Sequence, residues 1–498
     1  MVAKNFIPLL EEEQVNSSKK TKLANNNESD VVSIGHSLNG NKYVSLPQRF
    51  KVISHPNEWT EIRPSQTCSY IVWDKCTNSA SCDFESLNSS GVECSNEEYP
   101  DLLSQTTASL YKFVLRKWEP IRVPVPVSGT NILVCSYNVL CQDTANRHMY
   151  MYTHLSKNNN EGKMQWSYRS PMLAHEFCTI DADIVCLQEV QNDHYDNFYK
   201  FIFKAAGYHG EFKKKTGSSV DGCAIFYRSR FECLRYLPIE YYVDKNCILN
   251  RSNIGKGVYF IDNRQIMRLR DKLSGKEFCI ANTHLLFNIK RSDIRIAQLI
   301  ILLAHLDKEC GFFAFKPCPA IICGDFNLSA DSPVYKFLLG ERVSLEQNDE
   351  SVGSENNFNQ YSSFDLVFRQ LNIGKNCRFF HNIDDGDHSS CQRYWAHSFK
   401  LADAYAPLSP QQKDVVSSYS SVGASCPDFI FYSVQSKYSQ WYGNVKKTEI
   451  FENDLYLHRR LSLPTLSSLQ STFGPWPNAA TPSDHIPIVA EFTIDSYR

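Results

Sequence analysis

Four apolar runs in this chain each stop abruptly on an amide, a carboxylate or an imidazole. NILVCSYN ends at Asn138, DIVCLQE at Glu189, EFCIANTH at His284, and PAIICGDFN at Asp325 and Asn327. Short β-branched runs of this kind, without polar alternation, read as strands buried on both faces, and such strands need a layer on each side. Segments of helical spacing lie between them. SYRSPMLAHEFCTI (167–180) and VQNDHYDNFYKFIFKAAGY, closing near Gly207, are two. The clearest is SDIRIAQLIILLAHLDKE (292–309), where Ser292 suits an N-cap and Ile296, Leu299, Ile300 and Leu303 share one face. DSPVYKFLLG gives a short helix with a glycine stop, DGCAIFYR (221–228) a further strand, and CPDFIFYS (426–433) and HIPIVAEFTI (485–494) two late strands. Strands alternating with helices, followed by extra strands, predict a mixed α/β domain whose sheets are buried between helical layers.

The chain of 498 residues, 42% hydrophobic and 13% aromatic, is long enough to build that core. Its formal net charge of −2 leaves any nucleic-acid contact to local patches. The 18 cysteines sit singly inside apolar runs, where a thiol behaves as a small hydrophobe, and no CxxC pair occurs. Glu11, Glu12 and Glu13 stand where a signal peptide needs its apolar centre, and no apolar run approaches the ~18 residues of a membrane span. The expectation is a soluble protein of a reducing compartment, cytoplasmic or also nuclear, without a membrane partner. Residues 1–106 are rich in Asn, Ser, Lys and Glu and predict a polar, largely disordered extension, with a short ordered piece near Tyr70–Trp73. Cys68, Cys76, Cys82 and Cys94 within it are too irregularly spaced for a zinc site. The ordered domain is expected over 107–498, with 341–400 as a partly irregular surface insertion.

Buried strand ends do not tolerate unpartnered carboxylates, so Asn138, Glu189, His284, Asp325, Asn327, Asp428, Asp484 and His485 need a common solution. Taken singly, each has a plain structural use as a cap, an Asx turn or a surface charge. Taken together, they fit one cleft holding a divalent metal and an anionic substrate. Glu189 offers the hard oxygen that magnesium takes, and Asn138 ligates beside it or holds the carboxylate. A protonated His485, oriented by Asp428, hydrogen-bonds a phosphate oxygen. Asp325 orients or deprotonates water, with Asn327 positioning it, and His284 donates to a non-bridging oxygen. The expected chemistry is metal-assisted hydrolysis of a phosphate ester by in-line attack.

The segments SYNVL, LQEVQ, DGCAIFYR, NTHLLFN, CGDFN, PDFIFYS and SDHIPIVAEF resemble the endonuclease/exonuclease/phosphatase superfamily over roughly residues 107–498. That resemblance implies a DNase I-like, four-layer α/β/β/α sandwich of two packed mixed sheets. It implies Mg²⁺, with Mn²⁺ as a substitute, held by Asn138 and Glu189. It also implies His284, Asp325, Asn327, Asp428, Asp484 and His485 as the catalytic set, with Asn138, His284, Asn327 and His485 facing substrate. Within the superfamily, HLLFNIKRSDIRIAQLIILLAHL, EVQNDHYDNFY and YLHRRLSLPTL are most similar to the Angel proteins, in the branch that also holds nocturnin and the carbon-catabolite-repression deadenylases.

Deadenylases of that branch grip a base with a proline five residues after the NTHL histidine and a phenylalanine five before the strand aspartate. Those positions here are Ile289 and Gly423, and losing the phenylalanine weakens an adenine-specific reading. The resemblance therefore implies an RNA 3′ end as partner in one of two reactions: 3′-exoribonuclease (deadenylase-like) action in mRNA decay, or removal of 2′,3′-cyclic phosphates in RNA processing. The alternative is a catalytically weak RNA- or protein-binding module of the same fold. No 20–29-residue leucine period occurs, so repeat-mediated docking to a deadenylase complex is not expected. The Tyr-x4-Leu-apolar segment by which Angel relatives bind the cap-binding translation factor is also incomplete: Tyr150 and Leu155 have the spacing, but Ser156 follows. Lys213, Lys214 and Lys215 read either as a guide for an RNA backbone or as a solvated loop.

Overall fold

A computed structural model describes residues 116–121, 129–157, 160–240, 263–288, 292–311, 317–343, 377–381, 393–397, 399–406, 414–442, 445–472 and 474–495. The N-terminal extension, Ile289 and most of 341–400 lie outside the described residues. In chain order the strands are β1 Trp118–Pro120, β2 Gly129–Asn138, β3 Ile184–Gln191, β4 Tyr208–Lys214, β5 Asp221–Arg228, β6 Phe231–Glu240, β7 Asn263–Asp271, β8 Glu277–His284, β9 Ala320–Asp325, β10 Cys377–His381, β11 Arg393–His397, β12 Leu401–Asp403, β13 Ser418–Tyr419, β14 Ala424–Ser425, β15 Asp428–Ser433, β16 Ser436–Tyr442, β17 Val445–Phe451, β18 Leu455–Leu461 and β19 Ile488–Asp495. The helices that cover the sheets are α1 Trp166–Ile180, α2 Lys200–Ala205, α3 Ser292–Cys310 and α4 Pro333–Leu338. Among the described residues no helix is long and apolar enough to cross a membrane.

Two mixed sheets make the core: seven strands in the order β1-β18-β19-β2-β3-β5-β4, and six in the order β12-β15-β9-β8-β7-β6. Between them Ile132, Val134, Cys186, Ile225, Phe278, Ile280, Ile321, Ile430, Ile488 and Phe492 form one apolar layer. A second apolar layer joins the outer face of the six-stranded sheet to α3 and α4 through Leu299, Leu302, Leu303, Leu306, Phe326, Val334 and Phe337. Beyond the seven-stranded sheet, Phe203 of α2 stacks on Phe226 of β5 and meets Phe177 of α1 at a tilt. The result is the expected four-layer sandwich. A buried polar clamp crosses the sheet interface: Gln188 Nε2 donates to Asn282 Oδ1 at 2.8 Å, and Asn282 Nδ2 donates to the carbonyls of Leu187 and Ala224 at 2.9 Å. Buried amides bonded across the interface in this way fix which strand faces which, where apolar packing alone would allow sliding.

The parallel pairs set the site. β2 runs parallel to β3, with Asn138 level with Gln188, and β8 runs parallel to β9, with His284 level with Asp325. Parallel neighbours end on the same side, so polar residues closing these strands collect at one edge of the sandwich. The expected strand and helix positions agree with the structure apart from one to three residues at the ends. The helix after β3 contains a π-helical stretch over Tyr195–Tyr199. Lys213 and Lys214 lie in β4 rather than in a loop, and the stretch expected to be an insertion contains the antiparallel pair β10–β11.

Candidate active site

Gly324 precedes Asp325 where β9 presses against β8. A Cβ at that position meets the Thr283 carbonyl oxygen at 2.0 Å, so only glycine lets the two strand ends approach. On β3 the register with β5 shifts between Leu187 and Val190, and Glu189 takes a left-handed φ of +57°. That bulge turns the Glu189 side chain out of the pleat and toward β2. There Asn138 Nδ2 donates both to Glu189 Oε1 at 3.1 Å and to Asp325 Oδ2 at 3.0 Å. One amide nitrogen thus joins the carboxylates of two different sheets. Asn138 Oδ1 accepts from the Leu140 N–H, and Glu189 Oε2 from the Cys141 N–H, both at 3.1 Å.

Asn327, at φ +50°, hooks back: its N–H donates to Asp325 Oδ1 at 3.0 Å and its Nδ2 to the Leu285 carbonyl at 2.9 Å. His284 Nε2 lies 3.6 Å and His485 Nε2 3.8 Å from Asp325 Oδ2. On its other side His485 donates from Nδ1 to Asp428 Oδ2 at 2.9 Å, and Ser417 Oγ donates to the same oxygen at 2.5 Å. Asp484 Oδ2 accepts from Tyr152 OH at 2.9 Å. The eight residues singled out in the sequence therefore surround a single cavity of about 1410 Å³, whose lining includes Glu189, His284, Asp325, Asn327, Asp428, Asp484 and His485. Asn138 lies beneath this lining, buried behind Glu189 and Asp325.

Four further residues shape the site, and of these only Lys215, within its run of three lysines, carries a local sequence signal. Lys215 lines the cavity, pairs with the buried Asp221 at 2.8 Å and lies 3.5 Å from His284 Nδ1. Arg169 of α1, fully buried, donates to the carbonyls of Val139 at 3.1 Å, Leu140 at 2.6 Å and Pro482 at 2.9 Å. It ties the loop after Asn138 to the loop that carries Asp484 and His485. Tyr152 and Ser417 are the hydroxyl partners of Asp484 and Asp428.

Charge is unevenly matched here. Glu189, Asp221, Asp325, Asp428 and Asp484 face Lys215 and His485. Burial, reinforced by Asp484 and Asp221 against the pull of Lys215, raises Glu189 above the usual carboxylate range. Burial, reinforced by Asp428 against His485, pushes Asp325 up to about 7. His284 is driven well below the usual imidazole range by burial and by the charges of Lys215 and His485. Burial works against the charge on His485 too, but Asp428, Asp325 and Asp484 outweigh it and hold that imidazole well above its usual range. Oδ1 of Asp484 and Oδ1 of Asp428 are buried without a hydrogen-bond partner. Buried oxygens in excess of cations fit a hard divalent ion better than they fit an empty polar pocket.

Residues 135–485 match the endonuclease/exonuclease/phosphatase family. The chain is 31% identical to protein angel homolog 2 of Mus musculus over 393 residues, covering 73% of this chain and 69% of that protein. It is 31% identical to the Danio rerio homolog over 382 residues, covering 72% and 64%. Among solved structures, ANGEL2, described as a 2′,3′-cyclic phosphatase and bound to adenosine-2′,3′-vanadate, superposes with a TM-score of 0.60 at 28% identity, over 76% of this chain and 99% of that one. The family match takes in Asn138, Glu189, His284, Asp325, Asp428 and His485, and by it the chain belongs to the endonuclease/exonuclease/phosphatase family, within which it is similar to the Angel proteins.

Proposed function

We propose that this phosphoesterase acts, with a divalent metal, on RNA 3′ ends and removes a 2′,3′-cyclic phosphate. The observation that carries the reading is the likeness to ANGEL2, described as a cyclic phosphatase, across nearly all of that chain. We assign the activity to residues 107–498 and place the protein outside membranes, in the cytoplasm or the nucleus.

Glu189 would hold Mg²⁺, or Mn²⁺ in its place, since a carboxylate oxygen suits a hard cation, while Asn138, whose Oδ1 accepts from the Leu140 N–H, holds that carboxylate through Nδ2. The ligating atoms of Asp325, Asp428 and His485 also lie within 4.8 Å of one another. That triangle is the weaker choice, because a protonated imidazole bonded to Asp428 has no lone pair to offer. The bound metal supplies Lewis-acid polarisation of a phosphoryl oxygen.

The chain's own groups do the rest. Asp325 Oδ2 takes a proton from the attacking water, a task suited to a carboxylate whose pKa is near 7. Asn327 fixes the other Asp325 oxygen through its N–H. His485, charged and held by Asp428, donates from Nε2 to a non-bridging phosphate oxygen. Lys215 can only donate, so His284 Nδ1 accepts and its proton sits on Nε2, facing Asp325 and the phosphate. In the first step the water oxygen bonds to phosphorus, one ribose P–O bond breaks, and the leaving oxygen takes a proton from solvent. A second hydrolysis releases inorganic phosphate and leaves both hydroxyls free.

The test offers purified protein a 3′-hydroxyl oligo(A) and an RNA ending in a 2′,3′-cyclic phosphate, with Mg²⁺ present. End-group loss without shortening is the expected result. Shortening of the oligo(A) overturns it in favour of an exoribonuclease, and no turnover of either RNA favours a binding module.

A further inference from the structure

The floor of the cavity is acidic and its mouth is aromatic. Tyr150 and Phe287 both line it, and they leave 65% and 68% of their surface exposed. Rings of this size are normally spent on the core, and most aromatics of the described residues are. Tyr150 sits in the 3₁₀ turn Met149–Tyr152, where among the described residues its one ring contact is an edge-on approach by His148, with centroids 5.9 Å apart. Two residues on, Tyr152 is buried with its hydroxyl on Asp484. Phe287 lies three residues past His284, on the segment that leaves β8. Each exposed ring is therefore held within three residues of a side chain that reaches the floor.

The geometry points to Tyr150 and Phe287 as stacking surfaces for the bases of the last nucleotides of an RNA 3′ end, gripping them without regard to sequence while the terminal phosphate reaches the floor. This inference rests on the function proposed above and adds how the polymer is held. Carboxylates crowd the floor, so an RNA backbone gains little there beyond the phosphate under attack, and grip must come from a neutral contact. Base–aromatic stacking is such a contact, and every base has a face to offer. The same placement speaks against Tyr150 serving a linear partner motif with Leu155, which is buried.

The experiment compares a short cyclic-phosphate RNA with glycerol 1,2-cyclic phosphate, which has no base. Wild type, Tyr150→Ala, Phe287→Ala, Tyr150→Phe and Val422→Ala are assayed for kcat and KM. Val422 is the control, exposed nearby but outside the cavity lining. The preference for RNA over the baseless probe is expected to shrink about five- to hundredfold in either alanine variant, through KM, and to be retained by Tyr150→Phe. Equal losses on both probes, or an unchanged preference, overturn the inference. If wild type hydrolyses neither probe, the proposed function fails on its own account. Fluorescence polarisation with a 3′-phosphorylated oligonucleotide then still decides the rim: affinity lower by the same factor in the alanine variants upholds it, and equal affinity ends it.

Discussion

Asp428 stands directly opposite Asp325 across the antiparallel pair β15–β9. Two buried carboxyls in register repel each other when both are ionised. His485 reaches both, at 2.9 Å to Asp428 and 3.8 Å to Asp325, and carries the charge that lets them coexist. The asymmetry of those distances divides the labour: Asp428 is spent on the imidazolium, while Asp325 keeps an elevated pKa.

From that division, Asp428→Asn is expected to lower kcat/KM by about 10²–10⁴ on the cyclic-phosphate RNA, by leaving His485 without its counter-charge. Ser417→Ala, which removes one hydrogen bond to the same oxygen, is expected to cost about tenfold or less. Steady-state kinetics on both variants, with circular dichroism to verify folding, decide the matter. Near-wild-type turnover by Asp428→Asn would show that His485 does not work as a cation.

Metal binding is expected to stabilise the fold, because it offsets the burial of Glu189 beside the carboxylates of Asp484 and Asp221. At a free Mg²⁺ concentration one hundred times its Kd, the gain is about 2.7 kcal/mol. A thermal-unfolding series in EDTA and in rising Mg²⁺ should reveal it, and Glu189→Gln should lose most of it. An identical rise of Tm in Glu189→Gln would move the metal to other ligands.

How far the sequence carries depends on what each residue answers to. β2, β3, β5, β8 and β9 are buried on both faces, so their apolar runs announce them. β7 reads NRQIMRLRD, because Arg268 and Arg270 lie half-exposed and pair with Glu277 across the ladder. Charge there conceals a strand. β4 is concealed likewise, as an edge strand whose Lys213 and Lys214 look like loop residues. Glu189 and Asp325 stand out because a carboxylate closing a buried strand demands a reason. Arg169, Tyr152 and Ser417 do not, because they act through partners 11 to 332 residues away and sit in unremarkable local surroundings. Lys215 is legible only as one of three lysines; its pairing with Asp221 singles it out.

Gly324→Ala is expected to be among the most damaging small substitutions in the chain. The added methyl would overlap a backbone carbonyl of the neighbouring strand, which cannot rotate away as a side chain can. Separating β8 from β9 at that point also displaces His284 from Asp325. A loss of more than about 3 kcal/mol in urea unfolding is expected. Ala introduced at Gly217, where a Cβ meets nothing within 4 Å though φ is +72°, should cost about 1 kcal/mol. Similar losses at the two positions would mean that strain in φ, not the close approach of the strands, governs Gly324.

His397, at the end of β11, gives the fold an acid-sensitive point away from the cavity. It is buried, donates from Nε2 to the Phe337 carbonyl at 2.5 Å, and leaves Nδ1 without a partner. Burial lowers its pKa from 6.5 to about 4. The folded state therefore takes up the proton less readily than the unfolded chain. Stability is full above pH 6.5, where both states are neutral, and drains away as pH falls toward 4, by about 3 kcal/mol in all. His397→Phe cannot be protonated, so its stability should fall less steeply over that window. It should also start lower at pH 7.5, since the Phe337 carbonyl loses its donor. Urea midpoints at pH 7.5, 6, 5 and 4.5 for both proteins make the comparison. Parallel curves would place the acid sensitivity in other groups and leave His397 a packing residue.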